Sequence, residues 1–327
     1  MRIAVVGSGS IGRRHLKNLL SLGYRDLVCV SEFKRLESLT IAGINVEVVH
    51  DYQAVLSPDF DCIVVCNPSS MHFDYLGRGV RAGKHILLEK PASTNAEGIR
   101  EIIAEAALNN IVIAMVHQFR HHPHLEKIKN KVHNGKIGRI LRVEAMQGEH
   151  IADYHPGEDY RLSYAARAEL GGGVLLTQIH LIDYLNWIFG PITAAFGLGG
   201  GKSNLDLDVE DNVSFLLHTE EKTPIYGHMN YLQRPKELAL NVVGEKGIIN
   251  WNYYEGSFSL VNERGSFDER ETISLKRNQM FISVLKDFFQ AVRSECRPRS
   301  SLEDGLAALK VVEAVKHSIA NRTISFI

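Results

Sequence analysis

The feature that most constrains this chain is the spacing Gly7-x-Gly9-x-x-Gly12, which follows the apolar run IAVV at residues 3–6 and opens the helical pattern IGRRHLKNLL at residues 11–20. Set between a strand and a helix, the three glycines have separate tasks. The first permits the tight turn, the second lets the backbone approach a pyrophosphate, and the third lets helix and strand pack closely. The helix start at Ser10 and Ile11 then offers amide donors and a positive dipole end to the phosphates. Glu32 closes the second apolar run, about 20 residues beyond the glycines, where a carboxylate accepts from the adenosine ribose hydroxyls. A dinucleotide site is therefore expected. Glu32 favours NAD, because a carboxylate repels the extra phosphate of NADP. Lys34 and Arg35 keep NADP possible, since they either meet that phosphate or are solvated charges opening the next helix.

The rest of the first 120 residues repeats the same rhythm. Apolar runs LVCVS, NVEVV, CIVVC, HILLE and IVIAMV alternate with helical patterns, including 72–81 and 95–108, which predicts a doubly wound parallel sheet. CIVVC and IVIAMV are continuously apolar, as strands covered by helices on both faces should be. Beyond that the rhythm changes to a helix (124–134), a strand (140–147), a long polar loop and a helix from 174 to 189. Strand runs ITAAFGL, VSFLLH, PIYGHMNYL, LALNVV, GIINWNYY and SFSLV follow, then two helices, 280–294 and 302–321. The fold class read from this is α/β. It comprises an N-terminal Rossmann domain (1–120) and a C-terminal α+β domain (121–327) with a large, mostly antiparallel open sheet, the last helix being a candidate to pack back on the first domain.

Composition narrows the partners. A chain of 327 residues is long for one core, and 37 basic against 38 acidic side chains leave a net charge of -1, without the basic excess of nucleic-acid-binding domains. The four cysteines form no CxxC pair and read as reduced thiols. The first apolar run has no basic region before it, unlike a signal peptide. The pattern 174–189 is interrupted by Thr177, Gln178, His180, Asp183 and Asn186, unlike a membrane span. A cytoplasmic protein with a small-molecule partner is expected, with no nucleic acid and no membrane.

HILLEKPAS at 85–93 puts Glu89, Lys90 and Pro91 at the carboxyl edge of the sheet, where open α/β folds bind ligands. Together with CNPSSMH at 66–72, AGKH at 82–85 and the glycine loop, the segment resembles the Gfo/Idh/MocA family of dehydrogenases, and the resemblance extends over essentially the whole chain. It implies that Asn67, Pro68, His72, Glu89 and Lys90 join Gly7, Gly9, Ser10, Ile11, Gly12 and Glu32 around the cofactor.

GGGVLLTQIHLIDYL at 171–185 resembles the family's helix carrying an active-site histidine, here His180. On one continuous helix Leu175, Ile179, Ile182, Leu185 and Phe189 share an apolar face, and Thr177, His180 and Tyr184 the opposite one. Family members commonly carry an aspartate one turn before the histidine, where this chain has Thr177. His180 then lacks that partner, so either Lys90 carries more of the proton transfer or the substrate differs. The resemblance implies His180 as base, Lys90 as stabiliser of alkoxide character, and Thr177 beside them.

HQFRHHPH at 117–124 holds four histidines, but such loops more often supply hydrogen bonds than a convergent metal site, so no metal is expected. The resemblance instead turns Arg120 to the substrate cleft. HIADYHPGEDYR at 150–161 resembles a segment of one family branch, and Tyr160 and Arg161 suit a sugar; a solvated lid is an equal alternative. Asp183 either bonds a substrate hydroxyl or a neighbouring helix, and Arg234 has similar standing. The expected activity is NAD(P)-dependent hydride transfer at a hydroxyl or keto group of a sugar, polyol or sugar nucleotide. An NAD-using glycosidase-like enzyme without net redox change and an inactive NAD-binding sensor remain alternatives. A homodimer or homotetramer through the C-terminal sheet is expected.

Overall fold

A computed structural model describes residues 1–32, 36–201, 203–294 and 296–327, so Lys34 and Arg35 lie outside the described residues. The chain divides into two compact units, Met1–Gln118 with Arg277–Leu306, and Phe119–Lys276 with Ala307–Ile327.

In the first unit the elements run β1 (Ile3–Val6), α1 (Ser10–Ser21), β2 (Leu27–Val30), β3 (Leu39–Ile41), β4 (Ile44–Val49), β5 (Cys62–Val65), α2 (His72–Arg81), β6 (His85–Leu88), α3 (Ile99–Leu108) and β7 (Ile113–Met115). They build a seven-stranded sheet in the order β3-β4-β2-β1-β5-β6-β7. β1 lies at its centre, parallel to β2 and β5. Every residue of β1, β2 and β5 is buried, the expected consequence of covering a parallel sheet on both faces. α3 starts later than its helical pattern at 95, because Asn95 Oδ1 accepts from Glu97 N at 3.1 Å and Gly98 adopts φ +71° before the first helical turn. The edge strand β3, antiparallel to β4, is too short to stand out in the sequence.

The second unit contains α4 (Pro123–His133), β8 (Ile140–Gly148), α5 (Val174–Thr177), α6 (His180–Phe189), β9 (Ile192–Gly199), β10 (Asn212–Thr219), β11 (Pro224–Asn230), β12 (Glu237–Gly244), β13 (Gly247–Asn252), β14 (Ser257–Asn262) and β15 (Phe267–Thr272). After α7 (Arg277–Ser294) and α8 (Leu302–Asn321) the chain adds β16 (Ser325–Phe326). The sheet has nine strands in the order β15-β14-β13-β12-β8-β11-β10-β9-β16. It is antiparallel except where β11 runs parallel to β8. β10 shows the one-sided pattern: Val213, Phe215 and Leu217 are buried while Ser214, Leu216 and His218 face outward. β15 escaped the sequence reading because FDERET has hardly any apolar residues to alternate.

α7 belongs to the first unit, where Phe281, Val284, Leu285, Phe288 and Phe289 join Leu16, Leu19 and Leu20 of α1 in one core. α8 is divided between the units after Leu306. No helix among the described residues is long and apolar enough to cross a membrane.

Candidate active site

The glycine loop has the geometry its spacing demands. Gly7 sits at φ +108°, and a Cβ there would stand 2.9 Å from the Cys66 carbonyl oxygen. At Gly12 a Cβ would stand 1.9 Å from the Gly7 carbonyl oxygen, so strand and helix meet with no room for a side chain. Gly9 is the opposite case, with no described atom within 4 Å of a Cβ. It is the N-cap of α1, and no side chain caps that helix. The helix start at exposed Ser10 and half-buried Ile11 thus keeps its amide donors for a ligand.

Two side chains beside this loop bear on whether a dinucleotide fits. The Asn67 amide has both its Oδ1 and Nδ2 buried without a hydrogen-bond partner among the described residues. A buried unpaired amide costs free energy unless a ligand pairs with it. Glu32, ending the strand run after the loop, accepts from Tyr52 N at 2.9 Å through Oε1 and from the Tyr75 hydroxyl through Oε2. An uncapped helix, an open Gly9 and an orphaned amide together suit a phosphate-bearing ligand with polar heads.

The segments behind Asn67 and Lys90 are braced from below. Buried His72 lies with Nδ1 2.6 Å from the Pro91 carbonyl oxygen and Nε2 2.9 Å from that of Asn67. Burial holds its pKa below the usual value, against the pull of those two carbonyls. Expected beside the cofactor, His72 stands between the Asn67 and Pro91 carbonyls, and the neutral ring that burial favours donates its single N–H to one of them; Pro68 opens the short turn between Asn67 and His72. Glu89 is also buried, with Oε1 2.8 Å from His15 Nε2 and Oε2 accepting from Lys90 N at 3.3 Å. Burial alone would push its carboxyl up, but the hydrogen bond and charge of His15, with Lys90, hold it below the ordinary range. Lys90 itself is half-buried. Sequence reading missed His15, Tyr52 and Tyr75. The signal for His15 was its position three residues after Gly12, the inward side of α1.

In the second unit the expected single helix 174–189 is two, α5 and α6, separated at Gln178 and Ile179. Gln178, buried at the break, donates from Nε2 to Tyr154 Oη at 3.0 Å and to the Asn230 carbonyl at 3.1 Å. The break corrects the expected faces. Thr177 and His180 are nearly buried, not spread along a polar stripe, and Tyr184 is fully buried in an aromatic core with Phe119 and Trp251. Thr177 lies beside the buried Tyr231 hydroxyl, which donates to the Ala165 carbonyl at 3.3 Å. His180 opens α6 with its ring edge-on to Phe119, the centroids 5.4 Å apart.

Arg120 was expected to face the substrate cleft, and Asp183 to bond a substrate hydroxyl or a neighbouring helix. Instead they meet each other: Arg120 Nε lies 3.1 Å from both Asp183 oxygens and Nη2 2.7 Å from Oδ1, with both side chains buried. The pair ties the turn Gln118–His121 to α6 and so holds the backbone that carries His180. Tyr160 donates to the Leu205 carbonyl at 3.2 Å, Arg161 pairs with Asp159, and Arg234 pairs with Asp153, the last two on exposed side chains. Of the histidine-rich stretch, burial pushes His122 down to about 3 and also lowers His124, which faces Glu271 at 3.0 Å. No group of three or more His, Cys, Asp or Glu among the described residues can hold a metal ion.

Against this geometry, two family profiles match the chain: the oxidoreductase family with an NAD-binding Rossmann fold over residues 1–118, and that family's C-terminal alpha/beta domain over 129–326. Among curated relatives, the myo-inositol 2-dehydrogenase of Thermotoga maritima is 26% identical over 98% of this chain and 97% of its own. The dTDP-3,4-didehydro-2,6-dideoxy-alpha-D-glucose 3-reductase of Saccharopolyspora spinosa is 30% identical over 73% of this chain and 71% of its own. Among solved structures, levoglucosan dehydrogenase in complex with NADH and levoglucosan superposes with a TM-score of 0.87 at 17% identity, over 100% of this chain and 99% of that one, which supports the shared fold.

Proposed function

The chain belongs to the Gfo/Idh/MocA oxidoreductase family, and from that premise we propose that it moves a hydride between a nicotinamide dinucleotide and a secondary hydroxyl or keto group of a sugar, polyol or sugar nucleotide. The observation that carries the reading is the open Gly9 over an uncapped α1, beside the orphaned Asn67 amide. The curated relatives include a myo-inositol 2-dehydrogenase and a dTDP-sugar 3-reductase, which supports a substrate of that class.

When bound, the nicotinamide supplies or accepts the hydride. The residues of this chain handle the phosphates, the ribose and the proton. The α1 amides bind the pyrophosphate, Glu32 accepts from the adenosine ribose, and Asn67 pairs its amide with the cofactor. Lys90, its backbone fixed through Glu89 and His15, donates a hydrogen bond to the substrate oxygen and stabilises negative charge there. His180, carried on α6 and braced by the Arg120–Asp183 pair, takes the hydroxyl proton. Thr177 stands one turn before it, where the family commonly carries an aspartate, so either Lys90 carries more of the proton transfer or the substrate differs.

Screening polyols, sugars and sugar nucleotides for change in nicotinamide absorbance, with product analysis, tests the reading. Oxidised or reduced product in step with the cofactor supports it. Glycosidic cleavage with no net cofactor change would replace it by the glycosidase-like alternative.

The outward face of the nine-stranded sheet supports self-association. Leu216 is 40% exposed, paired across the ladder with Phe196 and with Tyr226, itself 49% exposed. Such a row packs against a second copy. Sedimentation should give a dimer or tetramer, and a sole species of 36.6 kDa would refute this.

A further inference from the structure

Glu32 is anchored from the protein side by two groups that the cofactor motif does not include. Its carboxylate offers roughly four acceptor positions. Among the described residues two are used, by the Tyr52 amide and the Tyr75 hydroxyl. Two remain, which matches a vicinal ribose diol.

The Tyr75 hydroxyl is itself held in place. Tyr75 is buried on α2, its ring 4.4 Å from that of Tyr52, whose hydroxyl donates to the Tyr75 carbonyl at 2.8 Å. The Arg78 guanidinium lies over both rings, 4.9 Å from the Tyr52 centroid and 5.8 Å from that of Tyr75. Burial and the Glu32 hydrogen bond push the Tyr75 phenol up, so it stays a donor. A glutamate on a free three-bond side chain swings aside when a phosphate arrives; one clamped at both oxygens keeps its charge where it is.

We propose that Tyr75 is a specificity-determining residue for the cofactor, acting through Glu32 to hold the carboxylate where it accepts the adenosine ribose diol of NADH and repels the 2′-phosphate of NADPH. The proposal rests on the reading of Glu32 as the ribose acceptor.

The test is equilibrium titration of NADH and NADPH into the full chain, by nicotinamide fluorescence, for the wild type, Tyr75→Phe, Glu32→Gln and the double variant, with thermal melts to confirm folding. Tyr75→Phe keeps the ring pair and removes only the donor. It should lower the preference for NADH over NADPH by about tenfold, the worth of one charge-assisted hydrogen bond. Glu32→Gln should lower it at least as far, and adding Tyr75→Phe to Glu32→Gln should change it no further. A merely structural tyrosine would weaken both cofactors alike and leave the ratio unmoved, and that result would overturn the proposal. So would a further change of ratio in the double variant. If Glu32→Gln leaves the preference at its wild-type value, the ribose reading of Glu32 falls, and the role of Tyr75 with it. If Glu32→Gln abolishes the preference while Tyr75→Phe leaves it intact, Glu32 stands and Tyr75 alone is excluded.

Discussion

The two units spend their polar side chains in opposite ways. In the first, several groups around the glycine loop are left without partners among the described residues: the α1 start is uncapped, the space at Gly9 is open and the Asn67 amide is buried unpaired. In the second, charged residues named for the substrate have protein partners: Arg120 pairs with Asp183 in the interior, and Arg161 with Asp159 and Arg234 with Asp153 on exposed side chains. Beside the helix that carries His180, the buried charge of Arg120 acts as support, holding Asp183. A missing partner marks a ligand better than the presence of a charge does.

Six substitutions test that contrast. The largest effect falls on chemistry: Lys90→Ala and His180→Ala should each lower kcat by about 10²–10⁴ while NADH affinity, read by calorimetry, stays near wild type. A wild-type rate for His180→Ala would remove the proposed base. Next comes the buried pair. Asp183→Asn strands the Arg120 guanidinium and should cost about 3–5 kcal/mol of unfolding free energy in urea, whereas an open, substrate-facing Asp183 would cost little.

Gly9→Val should weaken NADH by about 1–3 kcal/mol by obstructing the α1 donors, yet leave the melting temperature unchanged, since no described atom lies within 4 Å of the new Cβ. A large loss of melting temperature would contradict the open geometry. A smaller effect concerns pH. The folded carboxyl of Glu89 titrates below its unfolded value, so the stability it contributes is present above that unfolded value and is lost as pH falls through the folded one. Glu89→Gln should therefore flatten the acid limb of the stability profile, and an unaltered limb would show that the pair with His15 is not linked to folding. Smallest is Arg234→Ala, on an exposed ion pair, which should change stability by less than about 1 kcal/mol; a marked rise in KM without loss of stability would return Arg234 to the substrate.

Much of the first unit was readable in the sequence because its information is local. A four-residue apolar run, three spaced glycines and an acid at the end of the next strand all lie on one βαβ unit, and β1, α1, β2, β5, α2 and β6 form where their patterns place them. The second unit was readable as a succession of strands, since alternation marks each one. The helical stretch proposed to carry the base was not, because the break after Thr177 is stabilised by partners distant in the chain: Gln178 reaches Asn230, Thr177 lies beside Tyr231, and Arg120 reaches Asp183. Helical periodicity has no access to those pairings, so it drew Tyr184 onto a face with His180 when packing places it in the core. The clamp on Glu32 was hidden for the same reason, its tyrosine lying 43 residues downstream.

The return of α7 to the first unit has a consequence for how the chain is made. Phe281, Phe288 and Phe289 belong to the core under α1, yet residues 119–276 are synthesised before them. At translation rates of about 5–20 residues per second, the nucleotide-binding unit emerges from the ribosome roughly 10–30 s before the helix that closes its apolar underside. During that interval Leu16, Leu19 and Leu20 present a greasy surface to the cell, and nascent chains stalled or cleaved before residue 277 should be clients of chaperones rather than small autonomous nucleotide binders.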